Sequence, residues 1–156
     1  MIKLGKITTI GQIIAVIHRT MLRLQSSKLP HLDFGNGQYD FFYVIAHNEG
    51  LSQKQLSEHL HIGKSTAAKA VRYLMDRGYV RKEKDTVDAR MDHLYLTPLG
   101  RETAPIVSAM FKENLAVALA GLSQDEKKEA MRLLQKIFNN ILAEHTRITA
   151  GEDEDK

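Results

Sequence analysis

The chain has 156 residues, 43% hydrophobic and 26% charged, with a formal net charge of +3 and no cysteine. That length suffices for one sizeable core, or for a small domain with an oligomerisation element. The absence of cysteine excludes disulfides, thiolate metal sites and thiol-based redox sensing within the chain, and it fits a cytoplasmic address.

Lys3 and Lys6 precede the stretch ITTIGQIIAVI, an outline shared with signal peptides. Thr8, Thr9 and Gln12 interrupt it, and His18 and Arg19 follow with no small-residue cleavage site, so it reads as an amphipathic helix of the mature protein. No apolar stretch reaches the roughly 18 residues of a membrane span. From residue 7 to 24, Ile10, Ile13, Ile14, Ile17, Met21 and Leu24 fall at helical spacing. The stripe is long for a small core and suits a helix that also packs against a partner chain. Pro30 and Asp33-Phe34-Gly35-Asn36-Gly37 break the chain. A second helix is predicted over 38–48, with Tyr39, Phe42, Tyr43, Ile45 and Ala46 as apolar contacts and Gly50 after its end.

Ser52 and Gln55 form a capping-box pattern for a short helix over 53–59 or 60. His61-Ile62-Gly63 is the turn into a helix from Lys64, with Ala67, Ala70, Val71 and Leu74 inward and Ser65, Ala68, Lys69, Arg72 and Asp76 outward. Gly78 stops it. Residues 79–84 and 91–96 alternate apolar and polar as a two-stranded ribbon does, joined by Asp85-Thr86-Val87-Asp88-Ala89-Arg90. Thr97 as N-cap and Pro98 at N1 open a long helix to about 120, broken by Gly121. Ser123 and Glu126 cap a last helix with the stripe Ala130, Leu133, Leu134, Ile137, Phe138, Ile141 and Leu142. Residues 151–156, acidic but for Gly151 and Lys156, are expected to be disordered. Neither repeat nor linker interrupts 1–150, which reads as one domain.

Two tempting motifs fail. Gly63-Lys64-Ser65-Thr66 resembles the end of a phosphate-binding loop, but its first glycine would fall on Glu58 and no strand precedes it. His59 and His61 are two apart, and the other five histidines are scattered without metal-ligand spacing. No metal or cofactor is expected, although a metal site assembled across chains stays open. Nucleophile elbows, paired carboxylates in a defined context and glycine-rich cofactor loops are missing, so no enzyme is expected.

The remaining signal is electrostatic and topological. Residues 63–90 hold eight Lys/Arg against four Asp/Glu. Such concentrated charge suits phosphate binding. Two close helices alone describe an αα-hairpin. With the ribbon they describe a winged helix-turn-helix in a mainly α fold, about residues 38–97, flanked by helices at about 7–28 and 98–147. The outward face offers Ser65 and Thr66 for phosphates or bases, and Lys69 and Arg72 for phosphates or guanine edges. Lys82 and Lys84 extend the basic surface onto the wing.

Further residues make the comparison specific. Leu51-Ser52-Gln53 opens the first short helix, Leu56-Ser57 lies within it, and Lys64-Ser65-Thr66 opens the second. Leu74, Gly78 and Val80 lead into the wing, Asp88-Ala89-Arg90 closes its loop, and Leu96-Thr97-Pro98-Leu99-Gly100 leads out, with Gln38-Tyr39 upstream. In order and spacing these residues resemble the MarR family of transcription regulators, over nearly all of the first 147 residues. Two positions depart from the family's habit: Gly63 replaces a better N-cap, and Lys69 stands where Arg is common.

The resemblance implies a homodimer held by the first and last helices. It would bind a pseudo-palindromic double-stranded operator, with one recognition helix per major groove and Arg90 reaching the adjacent minor groove. It also implies transcription regulation, most often repression, relieved by a small amphipathic aromatic or phenolic acid in a crevice beside the dimerisation helices. His18, Arg19, Tyr39, Tyr43 and His47 are the candidates to line that crevice. Asp88 is expected either to position the wing by pairing with Arg72 or Arg77, or to serve simply as a turn residue. A winged helix that binds protein without reading DNA is the alternative function.

Overall fold

Side-chain caps set several of the helix starts. The computed structural model describes residues 9–154 except 33 and 36. Helix α1 spans Ile10–Lys28 and starts at Thr9, whose hydroxyl accepts the Gln12 N–H at 3.2 Å. The expected start at Ile7, with Lys3 and Lys6, lies outside the described residues. After a single turn of 3-10 helix at Pro30–Leu32, α2 runs over Gln38–His47. Helix α3, Gln53–His59, carries the full capping box: the Ser52 hydroxyl accepts from Gln55 N–H at 3.1 Å and Gln55 Oε1 accepts from Ser52 N–H at 2.8 Å.

Helix α4 covers Lys64–Asp76. Gly78, at φ +78°, then turns the chain through a conformation that suits glycine. Strands β1 (Val80–Lys84) and β2 (Asp92–Leu96) pair antiparallel, with Val80 opposite Leu96 and Lys84 opposite Asp92. Helix α5, Pro98–Ala118, opens on Thr97, whose hydroxyl accepts the Gly100 N–H at 3.0 Å. Pro105 lies inside it and forfeits one ladder hydrogen bond. Helix α6 is Gln124–Glu154, and its Ser123/Glu126 capping box is formed. Its backbone stays helical to Glu154, inside the segment expected to be disordered; Asp155 and Lys156 lie outside the described residues.

The chain divides into two units, one through Leu115 and one from Ala116. In the first, the core joins Phe42 and Ile45 of α2, Leu56 of α3, Val71 and Leu74 of α4, Leu94 and Leu96 of β2, and Val107 and Met110 of α5. At the centre sits Phe34, with ring centroids 4.8–5.3 Å from Tyr39, Phe42 and Tyr79. The sequence marks Phe34 only as part of a chain break, yet it is a buried aromatic hub. Its neighbours Asp33 and Asn36 lie outside the described residues. Gly100 is also required by packing. A Cβ there would lie inside the contact distance of the Tyr79 carbonyl oxygen. The root of the wing and the first turn of α5 therefore meet backbone to backbone.

In the second unit, Leu133, Leu134, Phe138 and Ile141 of α6 are exposed. So are Ile10, Ile13, Ile14 and Ile17 of α1 in the first unit.

Candidate nucleic-acid interface

Burial on one side of α4 determines what the other side presents. Ala67, Ala70, Val71 and Leu74 are at most 2% exposed. With that face fixed, Lys64, Ser65, Thr66, Ala68, Lys69 and Arg72 are left exposed. Small alanines on the inward face let α4 approach α3 and α2 closely. The intervening turn is held by the Ser57 hydroxyl, which donates to the Ile62 carbonyl at 2.7 Å. His61 takes a positive φ of 51°, unusual for a residue with a side chain. Among the described residues, Lys64, Lys69, Arg72 and Lys82 form no ion pair.

The wing is different. Lys84 Nζ pairs with Asp92 Oδ1 at 2.9 Å across the ribbon. Arg81 pairs with Glu83 and lies over the Tyr95 ring. Of the two readings for Asp88, the pairing with Arg72 or Arg77 is not formed and the turn role is: its Oδ1 accepts the Arg90 N–H and Nε–H, both at 3.0 Å, and its Oδ2 accepts Nη2 at 3.2 Å. The reason is local. A carboxylate in a tight turn meets the amide and the guanidinium two residues on without crossing to another element. Arg77 instead stacks over Tyr73 at 4.2 Å, and Arg72 is exposed on α4. The Arg90 side chain is 91% exposed. Its contact holds the Asp88 carboxyl below the usual carboxylate range.

Two residues of this site were not anticipated. Asp85 Oδ1 accepts the backbone N–H groups of Val87 and Asp88 at 2.7 and 2.8 Å. Its Oδ2 lies 2.7 Å from His93 Nε2, and His93 Nδ1 lies 2.7 Å from the Gly50 carbonyl oxygen. The Asp88 amide and His93 together hold the Asp85 carboxyl down to about 2. Asp85, then Gly50, push the His93 imidazole above its ordinary value. Asp85 opens a turn, a position typical of Asp, but nothing local shows that a β2 histidine meets it. The strand that brings them together is itself pinned to the turn before α3, by Gly50 N–H to Leu94 O at 2.8 Å and Leu94 N–H to Leu51 O at 2.9 Å.

A separate hollow of about 560 Å³ lies between α1, α2 and α5, lined by Met21, Tyr43, Ser108, Phe111, Lys112 and Leu115. Of the residues expected in such a crevice, Tyr43 is on its wall, with its ring 4.6 Å from Phe111 and 4.1 Å from His47. His47 donates from Nδ1 to the Tyr43 carbonyl at 2.8 Å. Tyr39 is instead 1% exposed in the core, its hydroxyl donating to Leu29 O at 2.9 Å. His18 and Arg19 are exposed on α1 and are not part of the wall. Lys112 and Phe111, on α5, were not singled out in the sequence. Among the described residues no group of His, Asp and Glu is placed to hold a metal, and no helix is long and apolar enough to cross a membrane.

A short helix with unpaired cations, supported by a second helix and flanked by a basic ribbon, defines a winged helix-turn-helix of the DNA-binding kind. The sequence profile of the MarR family matches residues 32–91. The HTH-type transcriptional regulator BilQ of Clostridium symbiosum is 31% identical over 111 residues, covering 71% of this chain and 77% of BilQ. YybA of Bacillus subtilis, an HTH-type transcriptional regulator, is 27% identical over 142 residues, 91% of this chain and 95% of YybA. A MarR-family regulator from Listeria monocytogenes, solved in complex with 26mer DNA, superposes with a TM-score of 0.80 at 26% identity, covering 86% of this chain and 90% of that one. The chain belongs to the MarR family of DNA-binding transcription regulators. Its relatives and fold are those of regulators, not of enzymes.

Proposed function

We propose that the protein is a cytoplasmic, homodimeric repressor that reads a pseudo-palindromic operator and is released by a small aromatic or phenolic acid. One observation carries the reading most strongly: the α4 face bears Lys64, Lys69 and Arg72 exposed and free of ion pairs, on a helix whose opposite face is fully buried. Cations that are not neutralised internally are available for phosphates, and their rigid mounting gives them a register. Ser65 and Thr66 stand at the leading turn of α4, Lys82 and Lys84 on the ribbon and Arg90 at the wing tip. The Listeria regulator bound to DNA supports the same mode here.

Dimerisation follows from the apolar residues left exposed. Ile10, Ile13, Ile14 and Ile17 on α1 and Leu133, Leu134, Phe138 and Ile141 on α6 form stripes that a monomer would leave in water. A second copy of the chain is the partner that covers both. The effector site is the hollow beside α5. Tyr43 and Phe111 would pack an aromatic ring, and Lys112, rather than Arg19, would hold its carboxylate.

The test is selection of bound duplexes from random DNA by the purified protein. The selected sequence should be a pseudo-palindrome with half-sites about one helical turn (~10 bp) apart. Sedimentation should give a dimer. Titration with salicylate should weaken the complex, and Lys112→Ala should blunt that response while Arg19→Ala leaves it. Failure to bind any duplex in a salt-dependent way would instead favour a winged helix that binds protein.

A further inference from the structure

The wing loop is tied to the body of the protein through one side chain. His93 sits on β2 with a carbonyl oxygen on one side, Gly50, and a carboxylate oxygen on the other, Asp85, each at 2.7 Å. Neither partner can donate a hydrogen bond. Both ring nitrogens must therefore be the donors, and only the doubly protonated imidazolium has two N–H groups. A neutral ring can satisfy one acceptor and must present a lone pair to the other.

The contacts continue into the loop. Asp85 uses its second oxygen for the Val87 and Asp88 amides, and Asp88 in turn holds Arg90. We infer that His93 and Asp85 are positioning residues for DNA binding: the imidazolium clamps the wing loop to the Gly50 turn, and losing its proton releases the loop and misplaces Arg90. This rests on the DNA-binding reading of Arg90 given above.

The charged surroundings favour the proton. Asp85 comes from the loop and Asp92 from β2 itself, the latter paired with Lys84 of β1. Glu83 lies directly across the ribbon from His93 and is paired with Arg81. On the α3 side stand the Gly50 carbonyl and Ser52, which bridges to His93 through the backbone. Nearby Glu49 is occupied by the Leu96 N–H and Arg101.

The pH window follows from the directions of the shifts. The His93 pKa is raised above 6.5, so its contribution is complete below that value and is lost as pH rises through the higher folded value. The Asp85 pKa is lowered to about 2, so its contribution is present above the ordinary carboxylate range and lost as pH falls towards 2. The clamp is closed between these limits and opens on the alkaline side.

The experiment measures duplex affinity of the full chain between pH 5.5 and 9, for the wild type, His93→Gln and Asp85→Asn, using the selected operator. Imidazole nitrogen shifts of His93 are followed by NMR in parallel. Wild-type affinity should fall roughly two- to tenfold as His93 deprotonates, the size of one net hydrogen bond. His93→Gln should lose that component and retain only what the other histidines contribute. Asp85→Asn separates the clamp from simple attraction between imidazolium and phosphate. Its amide oxygen still accepts from Val87 and Asp88, while its NH₂ donates to Nε2 of a neutral ring whose Nδ1–H keeps Gly50. Clamping then survives at high pH, and the fall should vanish or reverse. A fall that persists in Asp85→Asn, a profile unchanged in His93→Gln, or a wild-type His93 titrating at or below its free value would each overturn the clamp. Absence of duplex binding by any of the three proteins at every pH would remove the DNA reading, and the clamp as a DNA device with it.

Discussion

The recognition helix and the wing both present basic residues, yet they are built on opposite plans. Helix α4 rests on a fully buried apolar face and leaves Lys64, Lys69 and Arg72 without an ion pair among the described residues. The wing loop buries little. Its Arg90 is held by Asp88, its Lys84 by Asp92, and its backbone by Asp85. In α4, hydrophobic packing sets the geometry and the charges are free to act. In the wing, hydrogen bonds and ion pairs set the geometry, so the same charges both hold the structure and meet the ligand. Apolar packing has no charge to titrate or to be screened, whereas ion pairs and hydrogen bonds to charged groups weaken with both pH and ionic strength.

The comparison can be broken most severely from the packed side. Leu74→Ala should cost about 2–5 kcal/mol of folding stability, because a fully buried side chain leaves a cavity under α4. Urea unfolding followed by circular dichroism measures it, and DNA binding should fail in proportion to the unfolded fraction. A loss below about 1 kcal/mol would mean that the site collapses around the cavity and that α4 is less rigid than its burial implies.

Arg90→Ala should act on binding alone. We expect a loss of about 1–3 kcal/mol in operator affinity, with stability within about 0.5 kcal/mol of wild type. Lys69→Ala and Arg72→Ala sharpen the contrast. If these side chains contact phosphates, each should flatten the log–log salt dependence of binding by about 0.9 and weaken all duplexes alike. Unchanged slopes in both would remove α4 as the phosphate-binding face.

Asp88→Asn is subtler. It removes a negative charge facing DNA but also the bidentate hold on Arg90. Operator affinity should fall several-fold while affinity for random duplex rises, so the ratio between them shrinks. Competition binding with both duplexes reads this directly. The smallest effect belongs to Asp92→Asn, which frees Lys84 from an exposed pair. Urea unfolding should place its folding stability close to that of the wild type, because an exposed, solvent-screened pair contributes little.

What the sequence reveals tracks this same division. Both capping boxes, the split of α4 into an inward and an outward face, and the ribbon with its loop were legible because each depends on residues within a few positions of one another. For Asp88 the sequence leaves two readings open, a pairing with Arg72 or Arg77 and a turn residue, and the contact with Arg90 two residues on is of the second, local kind. The clamp of His93 on Gly50 was out of reach: 43 residues separate them, and only the assembled sheet brings them into contact. Phe34 is hidden by its glycine-rich company, and helical phase alone cannot tell a core tyrosine such as Tyr39 from one that lines a crevice. In the hollow, Tyr43 was legible as an aromatic near the junction, whereas Lys112 depends on the phase of α5 relative to α2.

The contact at Gly100 has a mechanical consequence. With no side chain between them, the first turn of α5 and the carbonyl at the root of the wing have no slack, so a tilt at one is a tilt at the other. Phe111, on the wall of the hollow, is on the same helix, about 16 Å further along its axis at 1.5 Å per residue. Helix α5 is thus a lever arm welded to the wing at one end and exposed to the hollow along its shaft. Pro105, which has no N–H to give to the helix ladder, lies between the two.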